Sequence, residues 1–354
     1  MDITAFCTQS SVLVVAGKGG VGKSTLSATV ANSAARNGVS VLLVELEGKS
    51  GSSGMFGHHV LTSDEVELSA IGTSDRGGRS APIRSRTITP EEALVDYLVD
   101  HGFGRAARRL VKSGMLDVVA TAVPGVRDLL VLGKIVQLER AHTADLIVVD
   151  GPAAGHVTTF LSSAQGLLDS SRAGPLHALA ADVVELLSDP ARCQVVLVTL
   201  AEETPVNETV ETALALEDRV GTHLGPLIVN CLYPQLDHLD ADPEAAATAA
   251  GVTLQPGEAD AMRAAAAFRR RRQDMQAEQA TRLAEALPLP QLWLPQLVGE
   301  EIGLPEIELL ADALETGLAH LREPAGRAGM TSPTKRGARI RATGRAAAGV
   351  GSSS

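Results

Sequence analysis

The stretch "VVAGKGGVGKSTLSAT", residues 14–29, passes from an apolar run through a glycine-rich turn into a polar-capped helical pattern. Inside it, "GKGGVGKS" from Gly17 to Ser24 satisfies G-x-x-x-x-G-K-[ST], with the strand before and the helix after that the pattern requires. Gly17, Gly19, Gly20 and Gly22, with Val21 between them, let backbone N–H groups converge on phosphate oxygens without Cβ clashes. The helix that follows turns its positive end toward the same anion. Lys23 then neutralises the β- and γ-phosphates of a nucleotide, the Ser24 hydroxyl meets Mg²⁺, and Thr25 completes the binding stretch. Lys18 is an extra cation that the general pattern does not require. On spacing alone it is either a solvated lysine or a group that reaches a nucleotide on a facing subunit, where it would stabilise transition-state charge in trans.

Around this motif, residues 11–16, 40–46, 115–120, 146–150, 194–200 and 226–230 read as strands, several of them near-continuous Val/Leu/Ile runs. Such runs belong to a parallel sheet buried on both faces. Ala-rich helical patterns at 23–37, 126–141, 206–220 and 305–321 alternate with them, which predicts an α/β fold with a doubly wound, mostly parallel sheet. Its ligand belongs at the carboxyl ends of the strands. Two stretches break the rhythm: a Gly/Ser/Arg-rich piece within 60–87, read as an exposed loop, and a helix-forming segment within 235–285. The chain lacks a second glycine-rich phosphate loop, so one nucleotide site is expected.

Composition narrows the class further. With 354 residues and 45% hydrophobic content but only 2% aromatics, the core must be built from Leu, Val, Ile and Ala. The net charge of −11 hides an asymmetry: residues 324–354 carry six Arg or Lys and no acid, which leaves −17 on the rest. A body of that sign repels nucleic acid, and the basic tail is expected to be disordered. Cys7, Cys193 and Cys231 are widely spaced, with no CxxC, which argues against a disulfide framework or a two-cysteine zinc clamp and for the cytoplasm. No apolar run reaches about 18 residues, so no spanning helix is expected. His58–His59 has no ligand partners at metal spacing, and "FRRRRQ" at 268–273 lacks an aromatic platform and reads as a solvated helix face.

"KGGVGKST" resembles the deviant Walker A motif of the MinD/ParA/ArsA class of P-loop ATPases, in which the early lysine acts across a nucleotide-sandwich dimer. The resemblance assigns that role to Lys18. "LIVVDGPAAGHVTTFL" at 146–161 has an acidic strand end that can hold Mg²⁺ through water, followed by a small-residue turn. It is similar to the D-[TA]-x-P-[TA]-G-H switch of ArsA and of the guided-entry ATPases that target tail-anchored proteins. That likeness makes Asp150 a metal residue beside Ser24, and Gly151, Pro152, Gly155 and His156 a γ-phosphate switch. "VPGVRDLLVLGKI" at 123–135 is like the family's P-G-[ILV]-x-E loop, with Asp128 for Glu, and segments 200–216 and 287–314 are also similar. Carried over, Asn230 and the loop 294–298, which includes Pro295, line the adenine pocket.

Departures matter too. Where the family has D-P-A-H, "ELEGKSGSS" puts Glu47 in the position of the Asp that polarises the attacking water; Glu47 is then a catalytic candidate beside Lys18 and Lys23, or a loop carboxylate. Its extra methylene implies slow hydrolysis, since misplacement near 1 Å can cost roughly 10²-fold. The missing CxxC and the short chain look closest to the single-domain, anion-transporting ATPase-like ArsA relatives of actinobacteria. The expected protein is an ATP- and Mg²⁺-dependent ATPase, one domain over 1–323 with a helical subdomain inserted within about 90–115 and 157–190. It would work as a homodimer, or as a heterodimer with a sibling subunit, coupled to a membrane-protein or transporter partner. Two rivals stand beside this reading: a low-turnover regulatory subunit, and a chaperone for hydrophobic membrane-protein helices. Scattered cysteines weigh against arsenite sensing.

Overall fold

Eight strands form one sheet in the order β3-β4-β2-β5-β1-β6-β7-β8, every described pairing parallel except β3 with β4. The strands are β1 (Val12–Gly17), β2 (Val41–Leu46), β3 (Val66–Leu68), β4 (Ile83–Ile88), β5 (Leu146–Ala153), β6 (Cys193–Leu200), β7 (Leu227–Leu232) and β8 (Gln291–Pro295). The computed structural model describes residues 1–46, 51–57, 64–68, 80–100, 102, 105, 125–170, 172–299 and 301–321. Glu47 with the rest of 47–50, the strand expected at 115–120, His58–His59 and the basic tail therefore lie outside the described residues.

Ten helices are described: α1 (Ile3–Cys7), α2 (Lys23–Arg36), α3 (Pro90–Asp100), α4 (Val126–Arg140), α5 (Ala154–Ser170), α6 (Pro175–Ser188), α7 (Glu203–Arg219), α8 (Pro243–Ala250), α9 (Glu258–Ala286) and α10 (Leu304–His320). Alternation along the strands divides the core into two layers. Leu13, Val15, Val41, Leu43, Leu146 and Val148 face α2 and α10, while Val12, Val14, Leu42, Val44, Ile147 and Val149 face α4 to α7. Both faces are covered, which is why these strands read as unbroken apolar runs. Alanines at 28, 31, 34 and 35 let α2 pack closely, and Glu315 on α10 accepts hydrogen bonds from Ser33, Arg36 and Asn37 to fix the two helices together.

Three strands were not anticipated, the short β3 among them. β4, "IRSRTI", falls in the segment read as a loop because two arginines interrupt it; Arg86 pairs with Glu92 at 2.7 Å and Arg84 with Glu65 at 2.5 Å, so each charge has a partner. β8 lies among Pro288, Pro290 and Pro295, and prolines are tolerated there because it is the edge strand. An apolar groove of about 760 Å³ runs along that edge between α9 and α10, with Trp293 59% exposed in it. On α9, Arg269 and Arg272 stack over Tyr233, so only Arg270 and Arg271 of the arginine run stand as solvated charges. Among the described residues no helix is long and apolar enough to cross a membrane.

Candidate functional site: a phosphate cradle at the centre of the sheet

β1 lies between β5 and β6, and the chain leaves it toward β2 on one side and returns to β6 on the other, which opens a crevice at its carboxyl end. The glycine-rich turn fills that crevice and delivers the chain into α2. Gly22 caps α2 with φ 96°, a left-handed conformation, and a Cβ there would lie 2.3 Å from the Asn230 Nδ2. Gly17 passes so close to β6 that a Cβ would meet the Val198 carbonyl oxygen at 2.2 Å. A cradle with no side chain at these points leaves the first N–H groups of α2 for an anion. Lys23, only 9% exposed, lies over the loop with its Nζ donating to the Lys18 carbonyl at 3.0 Å.

The metal side is built by β5. Asp150 is fully buried and its Oδ2 accepts from the Ser24 hydroxyl at 2.6 Å, so the two groups expected at Mg²⁺ already touch. Hard oxygen donors of this kind suit Mg²⁺, which keeps most of its waters and takes few protein ligands. Gly151 then passes under β1, where a Cβ would sit 2.5 Å from the Val15 oxygen. Pro152 and the exposed Gly155 and His156, in the first turn of α5, complete the expected switch. His156 shares a cleft of about 340 Å³ with Arg127, Asp128 and Leu46. Burial raises the Asp128 carboxyl above its ordinary range, against the opposing pull of His156 and Arg127.

On the far side, Asn230 at the end of β7 donates to the Val21 carbonyl at 2.9 Å, tying the strand to the loop. The next residue, Cys231, takes φ 57°, and the register of β7 with β8 shifts between Val229 and Leu232. That irregularity ends the regular ladder beside Asn230. Lys18 is held by Glu208 of α7 at 2.7 Å, each side chain 36% exposed.

A family model, the CobQ/CobB/MinD/ParA nucleotide binding domain, matches residues 12–326. The chain belongs to this family. It is 34% identical to ATPase BagA of Mycobacterium tuberculosis over 322 residues, 85% of this chain and 91% of that protein. It is 26% identical over 334 residues to a putative arsenical pump-driving ATPase of Halobacterium salinarum, 88% of this chain and 45% of that one. A shorter match, 28% over 155 residues, is to ATPase GET3 of Chaetomium globosum, 42% of this chain and 41% of that protein. The protein is thus an ATP-binding ATPase of the ArsA/MinD/ParA class.

For an ArsA-like ATPase, the described residues bring together Gly17 to Thr25, Asp150, Gly151 and Asn230. They leave Pro295 at the end of β8, across β7 from the loop. Sequence reasoning missed two residues. Glu208 gave no signal beyond an acidic helix face, whereas Glu45, fully buried in β2, was visible as a carboxylate inside an apolar run. The thiols come from separate elements, and among the described residues no group of three or more metal-binding side chains forms.

Proposed function

We propose that this ATPase hydrolyses ATP with Mg²⁺ as a nucleotide-sandwich dimer whose opening and closing is coupled to a partner protein. The observation that carries the reading is the cradle from Gly17 to Ser24, already joined to Asp150, with Lys18 on its outer side held by a partly exposed carboxylate. In this reading the backbone amides at the start of α2 and Lys23 bind the β- and γ-phosphates. Ser24 and Asp150 hold the cation, which supplies charge neutralisation at the phosphates when bound. Lys18 leaves Glu208 to meet the γ-phosphate of the facing subunit, and Glu47 positions the attacking water, slowly because of its longer side chain. Loss of the γ-phosphate releases the 151–156 turn, which relays the change to α5. Asn230 and Pro295 flank the base.

The likeness to a putative arsenical pump-driving ATPase favours a membrane-linked partner, and three free cysteines favour the cytoplasm. The apolar residues of α5 and α6, among them Leu161, Leu167, Val183 and Leu187, are buried in the core, which supports packing over a groove for hydrophobic clients. The deciding experiment is steady-state ATP hydrolysis with oligomeric mass followed in ATP and in ADP, wild type beside Lys18→Ala and Lys23→Ala. Turnover abolished by both changes, with an ATP-dependent dimer of the wild type, supports the reading. Tight ATP binding without turnover, lost only in Lys23→Ala, overturns self-sufficient hydrolysis and makes the chain the regulatory half of a heterodimer.

A further inference from the structure

We infer that Glu45 is a second carboxylate of the metal site, holding water on the nucleotide's divalent cation with one oxygen and anchoring the turn after β2 with the other. The inference rests on the Mg²⁺·ATP reading of the cradle and adds to it a residue that the family resemblance did not single out.

Placement comes first. In β2, Val41 and Leu43 lie in the layer that faces α2, and Glu45 follows them at the same period of two. In β5, Leu146 and Val148 lie in that layer and Asp150 follows. Glu45 and Asp150 are register partners in these adjacent parallel strands, so their side chains leave the sheet side by side, toward the start of α2 where Ser24 bonds Asp150.

Partners come second. Glu45 is 0% exposed, and its Oε1 accepts from the Ser52 hydroxyl at 2.5 Å and the Ser53 amide at 2.8 Å. Its Oε2 is buried with no hydrogen-bond partner, and Glu45 forms no ion pair among the described residues. A buried carboxylate oxygen with nothing to accept from is costly, which makes it a vacancy for a donor. The anchor reaches the site as well: Gly51, beside Ser52, lies so close to α2 that a Cβ would sit 3.0 Å from the Ser24 Oγ. Ser24, Asp150, Glu45 and the 51–53 turn therefore form one cluster. An anchor alone needs only a neutral acceptor such as Gln. A carboxylate with a spare oxygen beside Asp150 suits the hydration shell of Mg²⁺, which a second acidic group can orient.

Two variants separate the roles, both in the full chain. Glu45→Gln keeps an oxygen for Ser52 and Ser53 but removes the charge; Ser52→Ala keeps the charge and weakens the anchor. The readout is the Mg²⁺ concentration at half-maximal retention of a fluorescent ATP analogue, beside its affinity in chelator. Glu45→Gln is expected to raise the Mg²⁺ midpoint by about 10-fold or more while metal-free affinity changes less than about twofold; Ser52→Ala leaves the midpoint within about twofold. In a Mn²⁺-loaded sample the same Glu45→Gln change alters the electron paramagnetic resonance signal of the bound ion. Should that variant melt early, Glu45→Asp, which retains the charge at shorter reach, gives a smaller shift in the same direction. An unchanged midpoint in the Glu45 variants, with normal Mg²⁺-dependent binding by the wild type, overturns the inference alone. Wild-type binding that ignores Mg²⁺ overturns the metal reading of the cradle and this inference with it.

Discussion

Replacing Glu208 with alanine removes the carboxylate that holds Lys18 within its own subunit, and the size of the effect follows from the geometry. The pair is 2.7 Å long and each side chain is 36% exposed, so it belongs with solvent-screened ion pairs worth about 0.2–1 kcal/mol each. If Lys18 must leave Glu208 to cross a dimer interface, both protomers break that pair on association, at a combined cost of about 0.4–2 kcal/mol. Glu208→Ala should therefore tighten ATP-dependent self-association by about 2- to 30-fold. Its thermal stability should change little, because Glu208 is a partly exposed residue inside α7, where alanine is a good helix former. The assay is sedimentation equilibrium in a non-hydrolysable ATP analogue. The advantage should shrink near 1 M salt, where the screening length falls to about 3 Å. A Glu208→Ala dimer no tighter than the wild type, or a Lys18→Ala chain that gains as much, refutes the idea that Lys18 is released into the interface.

Three further outcomes follow from the site. Gly22→Ala forces a Cβ to 2.3 Å from Asn230 at φ 96° and should cost about 1–3 kcal/mol in chemical denaturation. Adding Asn230→Ala should relieve the clash but not the backbone strain, and a single variant as stable as the wild type would sink the cradle argument. Asp128→Asn should raise the melting temperature at neutral pH. The carboxyl is raised in the folded state, so its ionised form works against the fold above the unfolded range, and the gain should vanish near pH 3 where the wild type is neutral as well. Burial pushes the Cys7 and Cys193 thiols up to about 12 and raises half-buried Cys231 as well. Mild alkylation of the native protein at pH 8 should therefore modify Cys231 first, read by peptide mass spectrometry, with the other two reacting only on unfolding. Early modification of Cys193 would contradict its burial.

What could be read from the chain depended on how local each determinant is. β1, β5 and β6 announce themselves because strands buried on two faces need uninterrupted Val and Leu, and the phosphate loop does so because glycine spacing carries the geometry. β4 stayed hidden because its burial depends on Arg84 and Arg86 finding Glu65 and Glu92, one before the strand in sequence and one after it. β8 stayed hidden because five residues that follow Pro290 and end in Pro295 become a strand only when β7 supplies the ladder. At the site, Ser24 and Asp150 were each legible by motif. The Lys18–Glu208 pair and the register of Glu45 with Asp150 join residues far apart in the chain, and such pairs exist only after folding.

Trp293 on the sheet edge is the chain's single tryptophan, and it stands two residues before Pro295. Its indole N–H donates to Gln291, 3.2 Å away, while the ring faces water beside Tyr233 in the groove. Tryptophan emission, excited at the red edge where the two tyrosines do not absorb, is therefore a one-site optical signal, and its colour and quenching describe the rim near the expected base pocket rather than an average over the molecule. An unlabelled titration with nucleotide thus carries its own built-in reporter, with no engineered fluorophore.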